Sequence, residues 1–132
     1  MNGTSDSIRI LAKSDGAAAG GPITLAEHTR DLLQVFEKLR SKVASELHHL
    51  IRLAIVCHDW GKVLPAFQRH TLRNRTYQPA YPSMGLDHSL ASLLWINEDE
   101  LRKWLKERGF SEEVETYQRI LFSAIAYHHW RE

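Results

Sequence analysis

The clearest pattern along the chain is an apolar stripe that begins after Thr24. Leu25, His28, Leu32, Val35, Phe36 and Leu39 recur at three- and four-residue steps, which puts them on one face of a helix. Thr24 and Glu27, with Pro22 just upstream, form a capping box that starts it. A second helix opens near Ser45 and carries Leu47, Leu50, Ile51, Leu53, Ala54, Ile55, Val56 and Cys57. Its latter half is apolar nearly all round, the mark of a central helix, and it should stop near Gly61, just past His58 and Asp59. Val63 to Arg73 reads as a shorter helix with Pro65 in its first turn.

Residues 74–85, NRTYQPAYPSMG, form the clearest loop. Asp87 to Ile96 then makes a helix with Leu90, Leu93 and Leu94 inward. Asn97 and Glu100 cap another, through Leu101, Trp104 and Leu105 to Gly109. Ser111 begins the last helix, where Val114, Tyr117, Leu121, Ala124 and His128 share a face. Ile8 to Leu11 is a short extended or helical piece, and no period-two strand appears. The predicted fold class is therefore all-α.

At 132 residues the chain makes one domain, 1–132, with 1–7 and 15–21 as flexible stretches. No apolar run approaches the roughly 20 residues that span a bilayer, so no membrane partner is expected. The N-terminus lacks a basic region followed by an apolar one, and Cys57 is the only cysteine, reading as a buried thiol. Both points favour the cytoplasm. With 17 Lys+Arg against 16 Asp+Glu, any contact with nucleic acid must be local rather than a whole-domain field.

The unusual statistic is eight histidines, placed singly and in pairs along the helices. His28, His58, Asp59, His88, His128 and His129 each lie on or beside the apolar side of a predicted helix. Burying such a group without a partner costs several kcal/mol, so each needs a hydrogen bond, an ion pair or a metal. One such histidine alone is more often a satisfied core residue. Four helices delivering them together change that balance. Adjacent helical residues diverge by about 100°, so His58 and Asp59 reach one region only from a helix end or groove. A carboxylate can bridge two metals. A set rich in imidazole with a single carboxylate suits Mn, Fe, Co, Ni or Zn better than Ca, with Mg an admissible alternative. Such metals bind phosphate and activate water as the nucleophile, and Lys62 would neutralise phosphate charge.

The ordered set His28, His58-Asp59-Trp60-Gly61-Lys62, His88 and His128-His129 resembles the HD superfamily of metal-dependent phosphohydrolases. Within it, Ala12-Lys13-Ser14, the HDWGK followed by Phe67-Gln68, and Asp87-His88-Ser89 resemble the HD nuclease domain of the type I CRISPR-associated helicase–nuclease. The resemblance implies a compact multi-helix domain that cuts the single-stranded DNA displaced by a CRISPR effector complex, beside a helicase that is fused or separate. It implies one metal on His28, His58 and Asp59 and a second on Asp59, His88, His128 and His129. Asp59 and Lys62 would be the catalytic side chains. It also implies a further acidic ligand after the His pair and a small residue where Trp130 stands, and the sequence stops three residues past His129. The expectation is therefore a C-terminally truncated domain with an under-filled first metal site.

Other residues have plainer readings. His48 and His49 are surface or cap residues, and His70 lies among arginines. Arg69, Arg73, Arg75 and Tyr77 suit phosphate contact and base stacking, although a short charged loop is more often simply solvated. Trp60 would either pack beneath the metals or stack on a base. Trp95 and Trp104 are expected in the core. Two other functions remain open: an HD phosphohydrolase acting on a nucleotide or other small phosphate ester, and a non-catalytic HD-like docking module.

Overall fold

The computed structural model describes residues 9–14, 21–77 and 86–129. These form helices α1 (Leu25–Leu39), α2 (His48–Cys57), α3 (His88–Leu93), α4 (Glu98–Glu107) and α5 (Val114–Ala126). Short 3₁₀ turns at Ser45–Leu47 and Trp60–Val63 flank α2, and a single π turn covers Phe67–Thr71. The all-α class holds with one addition. Two short strands, β1 (Leu11–Lys13) and β2 (Ile23–Thr24), pair antiparallel with Leu11 opposite Thr24. Strands of three and two residues are too short to show the period-two pattern by which a strand is read. The stretches expected to be flexible, 1–7 and all of 15–21 except Gly21, lie outside the described residues, as do 78–85 of the loop, Ile8 and Trp130.

The caps follow from side-chain chemistry. The Thr24 hydroxyl accepts from the Glu27 N–H while the Glu27 carboxylate accepts from the Thr24 N–H, the reciprocal box expected for α1. Asn97 accepts from the N–H groups of Asp99 and Glu100 to start α4, and Gly109 takes φ +89° past its end. Ser111 does not open α5 as predicted. Its hydroxyl donates to the Lys106 carbonyl at the end of α4, and α5 begins at Val114. His48 is a capping residue: its ring closes on the carbonyls of Arg40 and Val43 where the chain turns out of α1.

The core lies between α2, α4 and α5. Leu50 and Cys57, Leu101 and Leu105, and Val114, Leu121 and Ile125 meet there with Phe110. Each fully buried leucine or isoleucine contributes on the order of 2 kcal/mol. Four residues expected inward or on a shared apolar face need correction. Leu90 on α3 and Leu94 just past its end are 49% and 74% exposed, Trp95 is 53% exposed, and Ala124 on α5 is exposed. α2 is also less enclosed than its composition implies, since Leu53, Ala54 and Val56 are only partly buried.

The reason on α3 is a close approach of backbone. A Cβ built on Gly61 would stand 1.9 Å from the His88 carbonyl oxygen and 2.8 Å from the Ser92 nitrogen. The face of α3 turned to this contact therefore carries small residues, Ser89, Ala91 and Ser92, all buried. The Gly61 N–H donates to the Ser92 hydroxyl at 2.8 Å, and that hydroxyl lies 2.8 Å from the carbonyls of both His58 and His88. Leucines have no room there and take the outer face.

Gly61→Ala is accordingly expected to cost more than about 3 kcal/mol, because the obstacle is backbone and cannot rotate away. Thermal or urea unfolding of the purified variant checks this, and a loss below about 1 kcal/mol would contradict the contact.

Candidate metal centre

Four elements converge on Asp59. α1 supplies His28, the turn ending α2 supplies His58 and Asp59, α3 opens with His88, and the turn after α5 supplies His128 and His129. Asp59 is 1% exposed. Its Oδ2 faces His28 Nε2 at 3.4 Å and His58 Nε2 at 3.3 Å. Its Oδ1 faces His88 Nε2 at 3.6 Å and His128 Nε2 at 3.3 Å. The His129 ring lies beside those of His88 and His128, with centroids 4.9 Å and 4.1 Å away. The ligand atoms fall into two groups sharing one carboxylate: His28, His58 and Asp59, and Asp59, His88, His128 and His129.

The hydrogen bonding of the rings shows what the centre lacks. His58 Nδ1 lies 2.7 Å from the Ile55 carbonyl, and His128 Nδ1 lies 2.7 Å from the Ile125 carbonyl. A carbonyl only accepts, so each Nδ1 carries a proton, and each Nε2 presents a lone pair to a carboxylate oxygen whenever its ring is neutral. Lone pair then meets lone pair, a contact that a proton on Nε2 or a metal ion between the two atoms would relieve. Among the described residues, no well-aligned hydrogen bond reaches either Asp59 oxygen, His88 Nε2 or His128 Nε2, all buried. Ligands about 2.1 Å from one ion and 90–110° apart stand about 3.0–3.4 Å from each other, close to the spacing seen here. The donor set fits a divalent transition metal.

Electrostatics agree. Burial opposes charge on Asp59, but His128, His58 and Lys62 outweigh it and hold the carboxyl far below the carboxylate range. Burial, and then Lys62, pushes His88 down to about 4, so its ring is a neutral donor at physiological pH. Burial likewise lowers His28 and His129. At His128 burial is outweighed by Asp59 and the Ile125 carbonyl, and its pKa rises.

The remaining candidates are placed differently. Lys62 is buried, with Nζ 2.7 Å from Asp59 Oδ2 and 3.3 Å from the Ala12 carbonyl. Trp60 packs against the hydrophobic core and lines an apolar groove of about 690 Å³ with Leu25, Leu33 and Val56, a groove that includes none of the six ligands. Arg69, Arg73 and Arg75 are exposed and Tyr77 is half-buried, while Tyr81 lies outside the described residues. His49 and His70 are exposed and belong to neither ligand group.

Periodicity missed Gln68 and Asn74. Gln68 is wholly buried; its amide accepts from the Leu11 N–H and donates to the carbonyls of Leu11 and Lys62. Asn74 donates to Gln68 Oε1 and to the Arg9 carbonyl. The one signal for Gln68 was its place after Phe67 in the motif, and Phe67 packs at a tilt against His88 with centroids 4.5 Å apart.

A family model described as Cas3, HD domain, matches residues 11–131, a span that holds the whole cluster. No curated protein and no solved structure matches the chain.

Two outcomes follow from the geometry. Asp59→Asn should abolish transition-metal binding while circular dichroism keeps the helical signal, and His49→Ala should leave binding unchanged. Metal affinity should fall as pH drops through the raised pKa of His128, because Nε2 then holds a proton that the metal must displace. The loss is about tenfold per pH unit for each proton released. Calorimetric titration at several pH values measures it, and a flat profile between about pH 8 and 5 would contradict the assignment of His128.

Proposed function

The chain belongs to the Cas3 HD-domain family, and from that membership we propose that it cuts single-stranded DNA during type I CRISPR interference. Membership makes it a Cas3-type, metal-dependent nuclease module. The substrate, the site roles and the partners below are our reading.

The observation that carries it is the pair of ligand groups joined through Asp59. His28, His58 and Asp59 would hold one divalent ion, and Asp59, His88, His128 and His129 would hold the other. When bound, such ions supply Lewis acidity toward a phosphate and a nucleophilic water at neutral pH. Mn, Co, Ni, Fe or Zn suit these donors best, with Mg an alternative. Asp59 bridges the two groups. His58 and His128 are locked in the tautomer that turns Nε2 inward. Lys62 balances charge beside Asp59, and no side-chain nucleophile is needed.

Access favours a polymer over a small metabolite. His129 is exposed and His28 and His128 are only half-buried, so the centre has an open edge for a phosphodiester. Arg69, Arg73, Arg75 and Tyr77 would contact the strand through phosphates and base stacking. The partners on this reading are a type I CRISPR effector complex and a CRISPR-associated helicase, fused or separate, in the cytoplasm. Among the described residues no helix is long and apolar enough to cross a membrane.

The chain, supplied with each metal in turn, should cut single-stranded DNA without marked sequence preference and better than duplex. Binding should weaken as salt rises. Asp59→Ala should lose at least about a hundredfold in cleavage rate, given that even supporting residues of a metal site cost 10–100-fold. Cleavage of Asp59→Ala at the parent rate would refute the site. Rapid turnover of a free nucleotide with no action on DNA would move the substrate to a small phosphate ester.

A further inference from the structure

Lys62 lies inside the ligand cluster rather than at its rim. Its Nζ stands 2.7 Å from Asp59 Oδ2, the oxygen that also faces His28 and His58. Oδ1 faces only His88 and His128. The charge of Lys62 is felt by rings of both groups, but only Oδ2 has the ammonium in direct contact. That charge is anchored. Nζ donates to the Ala12 carbonyl at 3.3 Å, and the neighbouring Leu11 is gripped at both N–H and C=O by the Gln68 amide. The same amide holds the Lys62 carbonyl at 2.7 Å, so strand and lysine are fixed by one buried side chain. Swinging the ammonium away from Asp59 would leave a buried cation and a buried carboxylate unpaired, which is costly.

We propose that Lys62 is a resident cation that makes the two metal positions unequal. The first divalent ion enters the Oδ1 group with His88, His128 and His129. The group with His28 and His58 fills only at higher metal concentration. The inference rests on the reading that this cluster binds metal. Its physical basis is short-range repulsion: an ion on His28, His58 and Oδ2 must share that oxygen with an ammonium 2.7 Å away. Among the described residues the Oδ1 group also has four potential ligands against three, a difference acting in the same direction. A change at Lys62 separates the two causes, since it removes charge and leaves both ligand sets whole.

The test titrates the metal-free chain with cobalt(II), followed by visible absorption and calorimetry at about pH 8, where protons compete little with the metal. The parent should bind in two steps separated by at least about a hundredfold in affinity, and Lys62→Met should narrow that gap at least about tenfold by strengthening the weaker step. In the parent background, His28→Ala should remove the weak step alone, and His88→Ala should weaken the tight one. Those two variants keep Lys62 and decide the order of filling should Lys62→Met not fold. An unchanged gap in a folded Lys62→Met, two equal steps in the parent, or a tight step lost with His28→Ala would each overturn the inference while leaving metal binding intact. No cobalt bound at all would overturn the metal reading and the inference with it.

Discussion

A carboxylate that is 1% exposed must be compensated, and the molecule is arranged around that requirement at Asp59. Taking an ionised carboxyl out of water costs several kcal/mol unless cations or donors surround it. Here one ammonium and four imidazole nitrogens lie between 2.7 and 3.6 Å of its two oxygens. Where Nδ1 already holds a proton, a ring can donate to Asp59 only when doubly protonated. Lys62 alone supplies a permanent charge, and it reaches one oxygen only. The remaining demand is for positive charge near Oδ1 and among the rings, which a divalent ion would meet. Burial, ligand identity and metal fit thus express one constraint.

Holding four elements around one carboxylate takes rigid support, and that support is polar and backbone-based rather than greasy. Gly61 lets the turn after Asp59 press on the start of α3, and Ser92 ties that turn to the His58 and His88 carbonyls. Gln68 and Asn74 pin the first strand against the same turn from the other side. The hydrophobic cluster of α2, α4 and α5 sits behind, stabilising the bundle and carrying α2 and α5 to the places where they end. Core packing therefore sets the positions of the helix ends, while buried amide and hydroxyl groups set the ligands.

This division explains what could be read from the chain. α1, with its capping box, α4, with its Asn97 cap, and the stop of α2 near Gly61 rest on local chemistry, and each stands where the residues put it. The six candidate ligands were legible because imidazoles beside apolar faces demand an explanation, and the structure brings all six together. Leu90 and Leu94 misled because leucines on a helical period read as inward, whereas a glycine contact selects for small residues. Nothing in a period announces that Ser92 will be buried. Gln68 was invisible for a related reason: a lone glutamine reads as solvated until tertiary contacts supply partners for its whole amide. Trp95 lies beyond the end of α3 at Leu93, so a helical period extended to it did not predict which way it faces.

The placement of the two His-bearing turns adds a reason why a cation belongs here. His58 follows the last residue of α2 and His128 lies just beyond α5, so both helices direct their C-terminal ends at the cluster. A helix C-terminus has carbonyls without intrahelical partners and carries partial negative charge. In both cases a ring N–H satisfies one of those carbonyls three residues back, Ile55 for His58 and Ile125 for His128. The same bond that completes the helix end fixes the tautomer and turns Nε2 toward Asp59. An apolar helix that ends directly on a histidine thus points that ring's Nε2 toward Asp59 in a field that favours cations. Using the device twice, on helices that pack against each other, is enough to place two such ligands, one on each side of Asp59.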